Sequence, residues 1–239
     1  MLNDEIKNIY KYISVATICT ALFKKGLRNQ FIQNISPLNS SLPNMVGLAY
    51  TLRYIPARED LNQLEVFKNP EHPQRLAIEE CPKDYVMVFD SRKDARAASA
   101  GAILITRLMV RGCAGVVTDG GFRDSDEIKK LSIPTYHNRP SSPTNLTLHQ
   151  AIDINIPIAC GDVAVWPGDL IVGDKEGVVV IPFNIIQAIS VEVKSMTIYE
   201  DYVLKKVKNG SSIKGLYPLV DDKKLDEYNN WLKKTLENK

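Results

Sequence analysis

The chain has 239 residues, 44% hydrophobic and 24% charged, enough to bury the core of one sizeable domain or two small ones. Lys and Arg number 30 against 28 Asp and Glu, a formal +2 with the two signs interleaved, so no basic face tracks a nucleic-acid backbone. No apolar run approaches the roughly 18 residues of a membrane span.

The polar, acidic start Met1-Leu2-Asn3-Asp4-Glu5 lacks the basic segment of a secretory signal, and the expected location is the cytoplasm. Cys19, Cys81, Cys113 and Cys160 lie far apart with no C-x-x-C pair and read as buried thiols in a reducing compartment. Between Asp4 and Lys25, apolar side chains at Ile6, Ile9, Ile13, Ile18 and Leu22 keep a helical spacing that Gly26 closes, predicting two short helices. Pro37 and Pro43 mark an irregular connection into an apolar strand, Met45 to Tyr54. An amphipathic stretch follows to Asn69, and Pro70 and Pro73 interrupt the helical pattern before Leu76 to Glu80 resumes it.

From Tyr85 the texture becomes β-α-β-α-β. It comprises a strand Tyr85 to Phe89, a small-residue helix Ala97 to Arg111 with Gly101 inside it, a strand Gly115 to Thr118, a helix from Ser125 to about Leu131, and a strand Pro134 to His137. Such a run predicts a mostly parallel, covered sheet. After Ala151, short apolar segments broken by Gly161, Pro167-Gly168 and Asp174 predict an antiparallel meander or small barrel-like sheet. A long helix, Phe183 to Lys208, and a C-terminal amphipathic helix with Trp231 complete one α/β domain, its core at about residues 10–210 and a helical tail at 211–239.

Chemistry concentrates at Gly120-Gly121-Phe122-Arg123-Asp124-Ser125, directly after a strand. Glycines there allow a tight turn at a strand's carboxyl end, where α/β sheets place ligands. Arg123 offers a bidentate grip on a carboxylate, and Asp124 a hard oxygen for a divalent cation. The plainer alternative is that Asp124 or Ser125 caps the next helix and Arg123 makes a surface ion pair. Small residues at the start of the preceding helix, in the stretch from Ala98 to Leu104, leave backbone amides accessible at a helix N-terminus, which suits a carboxylate, although small residues more often mean close helix–sheet packing. His72, His137 and His149 share no metal-ligand spacing, and neither a P-loop nor a G-x-S-x-G elbow occurs. Glu192, Glu200 and Asp201 read as a solvated helix face with neighbouring lysines.

The string from Gly112 to Asp124, followed by Cys160-Gly161, Val165-Trp166-Pro167-Gly168-Asp169 and Asp174 through Pro182, resembles the RraA-like family over roughly residues 10 to 210. That family holds 4-hydroxy-4-methyl-2-oxoglutarate / 4-carboxy-4-hydroxy-2-oxoadipate aldolases and regulators of ribonuclease activity. The resemblance implies an α/β sandwich like the swivelling phosphohistidine-domain fold, assembled as a homotrimer or dimer of trimers with sites between subunits. It implies a class II aldolase in which Mg²⁺ or Mn²⁺ chelates a small 2-oxo acid, with oxaloacetate decarboxylation as a side activity. On the matching positions, Asp124 is the metal ligand, Arg123 holds the oxo acid, and the amides around Gly101, Ile103 and Leu104 receive its carboxylate. Glu200, counted back from Gly210, reaches a neighbouring subunit's site and helps order the catalytic water. One departure stands out: the position twenty-one residues before the arginine, where the aldolases carry Asp or Glu, is Ala102. A regulator that binds a ribonuclease or another protein, and a lyase for sugar-acid derivatives, are the competing expectations.

Overall fold

The computed structural model describes residues 2–237. Two helices, α1 (Asp4–Tyr10) and α2 (Val15–Lys24), open the chain as the spacing predicts. Each begins where a side chain caps a free amide: Asn3 accepts from Glu5 N, and Ser14 from Thr17 N. Then follow β1 (Ser36–Pro37), the long β2 (Met45–Pro56), a 3₁₀ turn (Leu64–Lys68) and α3 (Pro73–Glu80). Pro73 does not interrupt this helix; it occupies the first position, where a missing N–H costs nothing. The β-α-β-α-β run is present as β3 (Tyr85–Asp90), β4 (Ala98–Ala100), α4 (Ala102–Val110), β5 (Gly115–Thr118), β6 (Gly121–Phe122), α5 (Ser125–Ile128) and β7 (Thr135–His137). Next come β8 (Arg139–Pro140), β9 (His149–Ile154), β10 (Ile158–Cys160), β11 (Val163–Val165), β12 (Leu170–Gly173), β13 (Val178–Ile181) and the helices α6 (Ile186–Lys208) and α7 (Asp222–Glu237).

The main sheet runs β1-β7-β5-β3-β2-β12-β13, with β9 also on β2. Its centre, β2-β3-β5-β7, is parallel; β1, β9, β12 and β13 join antiparallel. Along β3 the side chains alternate between two cores. Met87 and Phe89 pack with Ala77 and Ile78 of α3 and Ile105 and Leu108 of α4. Val86 and Val88 pack with Cys160, Val163 and Val165 of the β10–β11 hairpin. Both faces of the sheet are therefore covered, which is why its strands read as continuous apolar runs.

Two expectations need correction. The helix foreseen from Ala97 begins only at Ala102, because Ala98–Ala100 is a buried strand pairing with β6. A run of small residues carries no apolar period to separate the two states. Gly101 accordingly lies at the helix N-cap in an extended conformation, not within the helix. After Ala151 the pairing is antiparallel as expected, β10 with β11 and β12 with β13, but the strands form no barrel of their own: β9 and β12 both add to the long outer edge of β2, and only β10–β11 stands apart from the main sheet. Of the four thiols, Cys81, Cys113 and Cys160 are buried, and Cys19 is half-buried.

The chain forms two compact units that divide between Ser190 and Val191, inside α6. In the second, Tyr202, Val203 and Leu216 form a small core with Tyr199, Tyr228 and Trp231 packed on it, and Lys206 pairs with Glu227 at 2.6 Å. Among the described residues no helix is long and apolar enough to cross a membrane.

Candidate active site at the start of helix α4

The site grows from two strand ends that lie side by side. Strands β4 and β6 pair in parallel within a small three-stranded sheet, which sets Ala100 beside Phe122 and brings Gly101 next to Arg123 and Asp124. Gly120 and Gly121 serve close approach: a Cβ on Gly120 would sit 2.6 Å from Ser91 Cβ, and one on Gly121 2.6 Å from Ser141 Cβ. Gly101 is confined in the same way, since a Cβ there would meet Arg123 Cγ at 2.7 Å and Asp124 Oδ2 at 2.8 Å.

Asp124 adopts a left-handed backbone, φ 57° and ψ 37°, at the N-cap of α5. Asp tolerates this region better than most residues, but still at a cost of about 1 kcal/mol. The capping role weighed from sequence is not what its side chain performs: it makes no cap bond to α5. Its Oδ2 turns instead to the preceding helix, accepting the Ala102 amide of α4 at 3.3 Å and standing 3.6 Å from Arg123 Nε. At α4 the Leu104 and Ile105 amides already donate to Gly101 O, at 3.1 and 3.2 Å. The Ile103 amide has no partner among the described residues, which makes it the open donor of the first turn.

These groups line one cavity of about 400 Å³, within the range of small-ligand sites. It brings together Gly101, Ile103, Leu104, Arg123 and Asp124, five of the six residues singled out in the sequence. Glu200, the sixth, is half-buried on α6 in the second unit. Glu127, another acid near the motif, pairs with Lys130 at 2.7 Å on the surface, and Asp124 is the one carboxylate in the lining.

Sequence reasoning missed the far wall, made by Leu64, Phe67, Gln74, Arg75, Thr144 and Asn145. Gln74 is buried and donates to Tyr54 Oη (2.9 Å) and to the Ser99 carbonyl (2.8 Å), tying α3 to β2 and β4. The Arg75 guanidinium lies 4.3 Å over the Phe67 ring, and burial lowers its pKa. One signal could have found it: Arg75 falls in the first turn of its helix with no acid there, the end where the macrodipole disfavours a cation.

Beneath the turn, Asp119 accepts the amides of Ser91, Lys93 and Gly161 at 2.7, 3.0 and 3.1 Å, and burial raises its pKa to about 6. His137 stacks on Phe122 at 5.6 Å, and burial lowers its pKa to about 4. Asp119 thus ties its turn to the Ser91–Lys93 segment and to Gly161, and His137 packs on Phe122, the residue before Arg123.

A divalent cation finds one protein ligand here. Among the described residues no three His, Cys, Asp or Glu side chains cluster as a metal cage. Mg²⁺ takes one or two carboxylates and keeps several waters, so the single Asp124 carboxylate fits an ion completed by water and a chelating substrate, and does not fit a structural metal.

Residues 15–180 match the family model described as RraA-like, Aldolase/RraA. A Halalkalibacterium halodurans protein named "Putative 4-hydroxy-4-methyl-2-oxoglutarate aldolase" is 33% identical over 76% of this chain and 80% of its own length. Protein DlpA of Legionella pneumophila is 24% identical over 88% of this chain, which spans 33% of that protein. Among solved structures, Streptomyces coelicolor RraAS2, described as an unusual member of the RNase ES inhibitor RraA protein family, superposes with TM-score 0.75 at 25% identity over 84% of this chain and 96% of that one. A Pseudomonas syringae protein at 19% identity shares the fold with TM-score 0.77, covering 90% and 98% of the two chains. With the family model spanning most of the chain, this protein belongs to the RraA-like, or Aldolase/RraA, family.

Proposed function

We propose that the chain is a carbon–carbon lyase that cleaves 2-oxo acids like 4-hydroxy-4-methyl-2-oxoglutarate to pyruvate and decarboxylates oxaloacetate through the same enolate. The observation that carries this reading is the convergence of Arg123, Asp124 and the first turn of α4 on one cavity. The substrate's 1-carboxylate takes the Ile103 amide and the positive end of α4. Arg123 donates to the 2-oxo oxygen, where negative charge gathers as the C3–C4 bond breaks. Asp124 would hold Mg²⁺ or Mn²⁺, which would supply Lewis-acid polarisation of the oxo acid. In aldol cleavage the bond pair of C3–C4 moves into the C2–C3 enolate while the 4-hydroxyl proton leaves to a base through water. In oxaloacetate the same pair moves as CO₂ departs, and no hydroxyl proton has to be removed. Asp124 is the one carboxylate in the cavity lining and the neighbouring position 102 is alanine, so no second acid stands ready as that base and this chain is better suited to decarboxylation than to aldol cleavage.

The proposal includes assembly in the manner of the family, as a trimer or dimer of trimers with the swivelling phosphohistidine-type sandwich in each subunit. Glu200 of a neighbouring subunit then supplies an acid near the catalytic water. Ile103 and Val110, 84% and 68% exposed on α4, support an apolar contact beside the cavity. A molecular mass of one chain by light scattering would remove this part. The lyase itself is tested with Arg123→Ala: pyruvate release from oxaloacetate with Mg²⁺ falls about 100-fold or more, and an unchanged rate sinks the assignment. Ala102 also favours a second reading, a binding protein that regulates a ribonuclease; it prevails if the wild-type chain releases no pyruvate and captures a ribonuclease at micromolar concentration.

A further inference from the structure

The cavity has a second cationic wall that neither the motif nor the family match assigns. We propose that Arg75 receives the 5-carboxylate of 2-oxoglutarate-type acids, a carboxylate that is not itself lost in the reaction, and so selects, among five-carbon 2-oxo acids, those with a second carboxylate. This inference rests on the oxo-acid reading above and names the residue that selects within it.

Arg75 differs from its neighbours in having no acid. Arg58, Arg96 and Arg107 pair with Asp60, Asp94 and Glu79 at 2.6 to 2.7 Å. Arg75 has no carboxylate partner among the described residues, although it lines a cavity and sits at the positive end of α3. Its stack on Phe67 uses the π-face and leaves the in-plane N–H fork available for a carboxylate. Phe67 is held in turn by the edge of His72, 5.0 Å between ring centres, so the stack is preorganised. Asn145, 5% exposed, lines the same cavity with its Oδ1 accepting from Thr144 Oγ1 at 3.3 Å, and Leu64 and Phe67 give that wall its apolar surface. The charges agree, since Arg75 and Arg123 outweigh the single Asp124 in the lining. A monocarboxylic oxo acid answers only the Arg123 wall; a dicarboxylic one answers both.

The test compares 2-oxoglutarate with 2-oxopentanoate, which share a five-carbon 2-oxo chain and differ in the far carboxylate. Binding is measured by isothermal titration calorimetry on the full chain with Mg²⁺, so no turnover is needed. The wild type binds 2-oxoglutarate about 10- to 100-fold more tightly, as a charged hydrogen-bonded pair implies. Arg75→Gln brings the two acids within about threefold by weakening 2-oxoglutarate alone; Arg75→Lys keeps part of the preference; Arg123→Gln weakens both acids. Phe67→Leu, which keeps the guanidinium charge and removes the ring that orients it, lowers the preference severalfold and carries the test if Arg75→Gln does not fold. Equal wild-type affinities, or an equal loss for both acids in Arg75→Gln, overturn the assignment of Arg75 while the oxo-acid reading stands. If the wild type binds neither acid, the oxo-acid reading fails and this inference fails with it.

Discussion

A single methyl group at Gly101 tests whether Arg123 and Asp124 act from the positions the fold gives them. In Gly101→Ala the new Cβ would stand 2.7 Å from Arg123 Cγ and 2.8 Å from Asp124 Oδ2. Ordinary contact begins at 3.4 Å, so the two groups must retreat by 0.7 and 0.6 Å. The backbone itself accepts alanine, since Gly101 is extended at φ −128° and ψ −179°. Overpacking costs about 1–3 kcal/mol, offset by about 0.4–1 kcal/mol from a less flexible unfolded chain. The net loss of stability is therefore between about 0 and about 2.6 kcal/mol, and the protein stays folded. Catalysis suffers more, because a misplacement approaching 1 Å at reacting groups costs about 100-fold. Oxaloacetate turnover with Mg²⁺, followed by pyruvate formation, gives kcat/KM, and thermal melting by circular dichroism gives stability. A folded variant with wild-type kcat/KM would refute the reasoning, since Arg123 and Asp124 would then be free to move without consequence.

Asp124→Gly removes a side chain from a left-handed backbone position, so the melting temperature holds or rises while Mg²⁺-dependent pyruvate release is lost; a parallel loss of both would make Asp124 structural. Ala102→Asp places an acid at the first residue of α4, and aldol cleavage of 4-hydroxy-4-methyl-2-oxoglutarate rises at least 10-fold while oxaloacetate decarboxylation changes less than threefold, read as pyruvate from each substrate. His137 ionises near pH 4 when folded and near 6.5 when unfolded, so its stabilising neutral form is fully effective above pH 6.5 and lost as pH falls towards 4, a swing of about 3 kcal/mol. His137→Gln should flatten that part of the urea-stability profile relative to wild type; superimposable slopes between pH 7 and 4 would show that the ring titrates normally.

The parallel centre of the sheet was legible because Tyr85–Asp90 and Gly115–Thr118 are buried on both faces and must be apolar throughout. The Gly120 to Asp124 turn was equally legible, since strand, glycines and charged pair follow one another in the chain. Ala98–Ala100 was not: its strand state depends on pairing with Gly121 and Phe122, a contact across more than twenty residues that local pattern does not encode. Arg75 and Asn145 were hidden for the same reason. They reach the cavity from α3 and from the 3₁₀ turn at Asn145–Thr147, far in sequence from the motif. The orphan first-turn arginine was a readable clue, but only once a helix start at Pro73 is accepted.

The two halves of the lining divide the chemistry between them. On the proposed reading, Arg123, Asp124 and the α4 amide address the oxo-acid end, and Asp124 is the one carboxylate in the lining. If Asp124 is engaged with a cation, its carboxylate is a weak base, and the 4-hydroxyl proton of an aldol substrate has no destination within this subunit's cavity. Decarboxylation avoids that demand, because CO₂ leaves with no O–H bond to break and the enolate is protonated at C3 by water. On the proposed reading, a chain with this electrostatic grip and alanine at position 102 favours the one reaction whose barrier the grip alone can lower. The ratio of decarboxylation to aldol cleavage, more than either rate, reports what Ala102 does.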